Sequence, residues 1–130
     1  MLPAENSADS LHCVSSSLIE LQLQQEYTSH MFIDIQEQFL KKADCIVKVI
    51  SKEGEMYSLL VDQQKLISDK HVVDTYRVSF DSVVREYHCE CNLFQSKAIL
   101  CCYMFSTFAY FEVNEVPSCY ISSRWSKNVR

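Results

Sequence analysis

Glycine occurs once in the 130 residues, at Gly54, and proline twice. A loop that cradles phosphate needs glycine so that backbone N–H groups can approach the ligand. One glycine cannot build such a loop, which excludes nucleotide-dependent chemistry. A basic surplus is missing as well: the formal net charge is −5 and the isoelectric point about 5.3. Proteins that grip nucleic acid unaided carry such a surplus, because phosphate contacts supply most of the affinity. Residues 1–70 hold the whole deficit, with six Lys/Arg against eleven Asp/Glu, while residues 71–130 carry six of each. There is no long apolar run. The longest, residues 99–111, is interrupted by Ser106 and Thr107. It falls short of the roughly 20 residues that cross a bilayer. The N-terminus has neither the basic nor the apolar stretch of a secretory signal. These absences predict a soluble protein from a reducing compartment, with no membrane partner. Hydrophobic residues at 48% and charged residues at 22% are ordinary for a globular chain,.

What is present reads as an α+β protein. Residues 1–16 are polar and predict a disordered tail. Residues 17–43 predict one long amphipathic helix, because Leu23, Tyr27, Met31, Ile35 and Phe39 recur every four residues with Phe32 beside them,. Residues 44–130 predict a small α+β domain. In it, 45–50 and 56–61 form a hairpin around Gly54, 62–70 a polar loop, and 72–80 and 83–89 two further strands. A second helix is expected over 99–112, and a short final element over 117–125.

Seven cysteines are many for this length. In a reducing compartment, clustered cysteines point to metal or thiol chemistry rather than a disulfide framework. The densest run is His88-Cys89-Glu90-Cys91, followed after nine residues by Cys101-Cys102-Tyr103. Two thiolates one residue apart share a metal when a strand end bends into a knuckle. A second pair then arrives from a helix start, where the macrodipole favours thiolate. Zinc takes four N or S ligands in a tetrahedron. Cys89, Cys91 and Cys101 supply three, and Cys102 or His88 is the candidate for the fourth. Each has a geometric obstacle. Side chains of helix neighbours diverge by about 100°, so Cys102 needs a distorted turn. His88 faces away from Cys89 on a regular strand and needs a bulge. The competing reading is thiols lining an apolar core, which cysteine tolerates. Cys13, Cys45 and Cys119 are isolated and read as packing or surface residues; His12, His30 and His71 are isolated too.

The pattern resembles a SWIM-type zinc finger, over segment 72–112. Val78-Ser79-Phe80, Cys89-Glu90-Cys91, Phe94, Ile99-Leu100-Cys101, Val116-Pro117, Tyr120-Ile121 and Arg124-Trp125 resemble the C-terminal part of the plant far-red-impaired-response family. Tyr27-Thr28, Met31-Phe32, Gln36 and Gln38-Phe39-Leu40 resemble the stretch ahead of that family's finger. The likeness covers roughly residues 21–130. These relatives are transcription regulators similar to Mutator-like transposases. Two positions depart from the family pattern. Tyr103 stands where the family has its histidine ligand, and a phenol with a reference pKa of about 10 is a poor zinc ligand at neutral pH. Ala98 stands where the family has glycine, and it resists a left-handed backbone.

The resemblance implies a truncated member of the family, without its N-terminal DNA-binding domain and transposase-like core. It implies transcription regulation in the nucleus, linked to light-responsive development. Zinc is the implied cofactor, and protein partners in a transcription complex are favoured over DNA by the neutral second half. Arg124, Lys127 and Arg130 make only a weak basic patch. A degenerate remnant without metal is the first alternative. A thiol redox or catalytic protein is the second, and geometry opposes it: His88 and Cys89 face opposite ways on a strand, and no third group orients them. Asp34, Glu37, Asp62 and Asp74 form no catalytic pattern, so no enzyme is expected.

Overall fold

The computed structural model describes Cys13 and residues 15–121. His12, Arg124, Trp125, Lys127 and Arg130 lie outside the described residues, as do most of the expected tail and the end of the final element.

The expected long helix is two short ones, α1 (Leu18–Glu26) and α2 (Ser29–Lys41). Tyr27 and Thr28 between them are extended, with ψ of 152° and 155°. The Thr28 hydroxyl accepts a hydrogen bond from the Met31 N–H and opens α2 as its N-cap. A threonine that caps a new helix competes with continuing the old one. The apolar stripe survives the break, and Leu23, Tyr27, Met31, Phe32, Ile35 and Phe39 are all buried. Glu20 ties the two helices together. Its carboxylate accepts from the Ser15 N–H and hydroxyl and from the Gln36 amide at 2.7 Å.

A four-stranded antiparallel sheet follows, in the order β1 (Cys45–Glu53), β2 (Met56–Ile67), β3 (Lys70–Asp81), β4 (Glu86–Cys89). Gly54, at φ +59°, turns β1 into β2, and no atom lies near enough to obstruct a Cβ there. Its left-handed backbone is the reason for glycine. Residues 62–67 are strand rather than loop, because β3 pairs with them as far as Ile67↔Lys70. Ser68 and Asp69, both at positive φ, make a two-residue turn of the kind that suits strand twist,. Residues 83–85 are turn rather than strand. The Asp81 carboxylate accepts from the Val83 and Val84 N–H groups, and Arg85 sits at φ +59°. This side-chain mimic of a turn overrides the β-branched valines.

Leu59, Val61, Val78, Phe80, Tyr87 and Cys89 are buried on one face of the sheet. Against that face lies α4 (Cys102–Tyr110), which touches all four strands and α2. Every residue from Cys102 to Phe108 is buried, as expected of a helix sandwiched between layers,. It starts at Cys102 and not Ile99, because Cys101 is extended (ψ 164°) as its N-cap. It stops at Tyr110, because the Val113 N–H returns to the Phe108 carbonyl across Glu112 at φ +57°. That is a Schellman ending. A short α3 (Leu93–Lys97), not expected from the sequence, precedes α4. The Gln22 amide holds both backbone groups of Val116, and Tyr120 bonds the Tyr87 backbone, closing the core. Among the described residues no helix is long and apolar enough to cross a membrane.

Candidate metal centre

β4 ends at Cys89 against Val78 of β3. The chain then turns sharply. The Asn92 N–H donates to the Cys89 carbonyl at 3.1 Å, the Glu90 N–H donates to the Arg77 carbonyl, and the Glu90 carboxylate accepts from the Arg77 N–H. Asn92 takes a left-handed conformation at φ +57°, which asparagine tolerates better than most residues. This turn is the knuckle, and it carries Cys91 back toward Cys89.

The second arm arrives as the N-cap of α4. Cys101 offers no capping side chain. The side-chain amide oxygen of Gln38 on α2 accepts from the Cys102 N–H at 3.0 Å instead. Gln38 thereby satisfies one orphan donor of the helix and fixes where Cys101 sits. Nothing in the local sequence flags Gln38 for this task; it acts across 64 residues.

The sulfurs of Cys89, Cys91 and Cys101 lie within 4.8 Å of one another. Around a tetrahedral zinc with Zn–S near 2.3 Å, neighbouring sulfurs stand about 3.8 Å apart. A small contraction of the triad therefore meets the requirement. Cys89 and Cys101 are buried and Cys91 is half-buried. The three share protons. Hydrogen bonds from Cys101 and then Cys89 hold the Cys91 thiol down to about 3. A bond with Cys101 pulls Cys89 down, but its bond to Cys91 and burial outweigh this and push it up to about 12. Bonds to Cys89 and Cys91, then burial, hold Cys101 far above the ordinary thiol range. Three thiols sharing hydrogen bonds make a site where a divalent cation can replace protons.

The fourth-ligand candidates do not join this triad. A hydrogen bond with Cys45, and then burial, raise the Cys102 thiol, and the same bond lowers Cys45 against its own burial, while the Cys45 thiol donates to the Lys41 carbonyl at 3.6 Å. His88 is exposed, as strand alternation requires. It is not among the residues whose ligand atoms converge. Tyr103 is buried among other partners. Its hydroxyl donates to Gln63 at 3.0 Å and its ring centre is 4.7 Å from that of Tyr76. Cys13 is half-buried and Cys119 exposed, while Cys45 is not isolated. Asp62 is bonded by Thr75 and Lys48, Asp74 by Lys65, and Glu37 by Lys41. These are surface pairs, as their pattern suggested.

Ala98 closes α3 in the left-handed conformation, φ +59° and ψ +31°. An L-residue loses roughly 1–2 kcal/mol there, and glycine's larger unfolded-state entropy offsets part of that. Ala98→Gly is expected to stabilise the chain by about 0.5–1 kcal/mol, read as a higher guanidinium midpoint at unchanged slope. A lower midpoint would show that the Ala98 methyl makes contacts worth more than the strain.

No protein-family model matches the chain, and neither does any solved structure. Among curated proteins, it is 29% identical over 114 residues to Protein FAR1-RELATED SEQUENCE 9 of Arabidopsis thaliana, spanning 88% of this chain and 20% of that protein. It is 27% identical over 110 residues to Protein FAR1-RELATED SEQUENCE 12 of the same plant, spanning 85% and 13%. The figures for Protein FAR1-RELATED SEQUENCE 7 are 26% over 110 residues, 85% and 14%. The chain thus spans a fifth or less of the length of these relatives.

Proposed function

From its place as a relative of the FAR1-related sequence proteins, we propose that this chain is a zinc-binding, SWIM-type interaction module of a transcription regulator acting in the nucleus. One observation carries the metal part. Three thiols from two separate segments, the β4 turn and the α4 cap, converge within 4.8 Å. Cys89, Cys91 and Cys101 hold the ion, which would replace thiol protons and pin the knuckle to α4. The fourth ligand is His88 or Cys102, neither of which stands with the three converging sulfurs, so the ion draws one of them in or takes water there. The net charge of −5 favours a protein partner over DNA,.

A second reading is a remnant that folds without metal. The position of Tyr103 favours it, since the residue at the family's histidine site serves the core and not the triad. Elemental analysis of protein purified with zinc present separates the two. About one zinc per chain is expected for wild type, none for Cys89→Ser, Cys91→Ser or Cys101→Ser, and a weakened site for His88→Ala or Cys102→Ser where that residue is drawn in. Zinc in Tyr103→His but not in wild type would establish the remnant reading.

A further inference from the structure

Three sulfurs converge at the triad, and the side chains that could complete a tetrahedron are held elsewhere. The Tyr103 hydroxyl donates to Gln63 at 3.0 Å. The Glu90 carboxylate, between Cys89 and Cys91 in sequence, accepts from the Arg77 N–H at 3.0 Å. His88 is exposed and lines a groove with Met56, Ser79 and Glu86 that none of the three cysteines lines. Cys102 is buried in the first turn of α4, where the Gln38 side chain fixes its N–H. Among the described residues no fourth His, Cys, Asp or Glu side chain joins the group. We propose, resting on the zinc reading above, that the ion's fourth position is open and takes an imidazole from outside the chain, a histidine of a protein partner.

Rigidity keeps the position open. The Asn92 N–H on the Cys89 carbonyl fixes the knuckle, and Gln38 fixes the start of α4. Drawing in His88 requires a bulge that breaks its pairing with Ser79 of β3,. Access lies at Cys91, which is half-buried while Cys89 and Cys101 are buried. Charge selects the donor. Three thiolates around a divalent ion leave one negative charge in excess, on a chain whose net charge is already −5. A fourth thiolate, or a carboxylate, adds a second negative charge to a site partly removed from water, and burial penalises unpaired charge. Imidazole is neutral, and its ring nitrogen is an ordinary zinc ligand. Water fills the position in the free chain, as in zinc sites with three protein ligands, and the ring displaces it.

The consequence is a coordinate bond across an interface. The free chain holds the ion by three side chains, and the tetrahedron is completed only with the partner in place.

X-ray absorption at the zinc edge, on the zinc-loaded full chain and with free imidazole as the probe, tests this. Three sulfurs and one oxygen are expected around the ion in wild type,. The same shell is expected in His88→Ala, Cys102→Ser and His12→Ala. Imidazole should replace the oxygen with one ring nitrogen and leave all three sulfurs in place. Four sulfurs, or a ring nitrogen present before imidazole is added, overturn the proposal while the zinc site stands. So does a shell that imidazole leaves unchanged. Zinc absent from wild type, or held without the three sulfurs, ends the zinc reading and this proposal together.

Discussion

Zinc at a free concentration a thousandfold above its dissociation constant will stabilise the wild-type chain by about 4 kcal/mol, and will leave Cys91→Ala unmoved. The number follows from linkage. An ion that binds the folded state and not the unfolded one stabilises it by RT ln(1 + [L]/Kd). Cys91 is the informative residue because it is only half-buried, whereas Cys89 and Cys101 are each 2% exposed. Truncating either of those leaves a hole in the core, and the packing loss would be confounded with the metal loss. In chelator, Cys91→Ala should lie within about 1.5 kcal/mol of wild type, the ordinary range for a partly exposed substitution. Parallel guanidinium titrations of both proteins, with zinc and with chelator, give all four values. An equal zinc response in the two proteins would place the ion elsewhere and end the assignment of the triad.

The sheet and the buried stripe of the first helices were legible because both follow from periodicity. Tyr76, Val78 and Phe80 alternate, and they face inward as that alternation requires. What was not legible depends on partners distant in sequence. Residues 62–65 are Asp-Gln-Gln-Lys, a polar run that reads as loop. It is strand because three of the four polar side chains meet something across the sheet or above it. Lys48 and Thr75 meet Asp62, Asp74 meets Lys65 at 2.6 Å, and the Tyr103 hydroxyl meets the buried Gln63. The break at Thr28 was visible in principle, since threonine is a good N-cap. The unbroken four-residue repeat of apolar side chains masked it.

The candidate site divides the same way. Cys89, Cys91 and Cys101 could be read from spacing, because a strand end, a tight turn and a helix cap are local events. The outward aim of His88 also followed from strand alternation. The partners of Tyr103 and Cys102 could not be read. A side chain in the first turn of a helix has several neighbours to choose from, and tertiary packing chooses. Here Tyr76 and Gln63 take Tyr103, and Cys45 takes Cys102. The left-handed backbone at Ala98 shows a local demand for glycine that the sequence fails to meet.

The size of the core can be tested at Phe108. Phe108→Ala should destabilise the chain by about 4 kcal/mol. The side chain is fully buried, and its ring stands edge-on to Tyr87 at 4.6 Å and to Phe105 at 6.1 Å. Phe105 in turn packs edge-on to Phe39 of α2 at 5.5 Å. Phe108 therefore joins the aromatic face of the sheet to the helical layer, and no neighbour can collapse into its place without breaking one of those contacts. Against a total stability of about 5–15 kcal/mol for a small domain, the loss is large. Val83→Ala, on an exposed turn at 68% accessibility, should stay within about 0.5 kcal/mol and serves as the control. Guanidinium unfolding of both variants should be run with zinc and again in chelator. If aromatic packing builds the core and metal only pins its edge, the Phe108 loss will be the same in both conditions. A loss that vanishes in chelator would mean that α4 docks only when the triad is filled. The ion would then be what folds this domain.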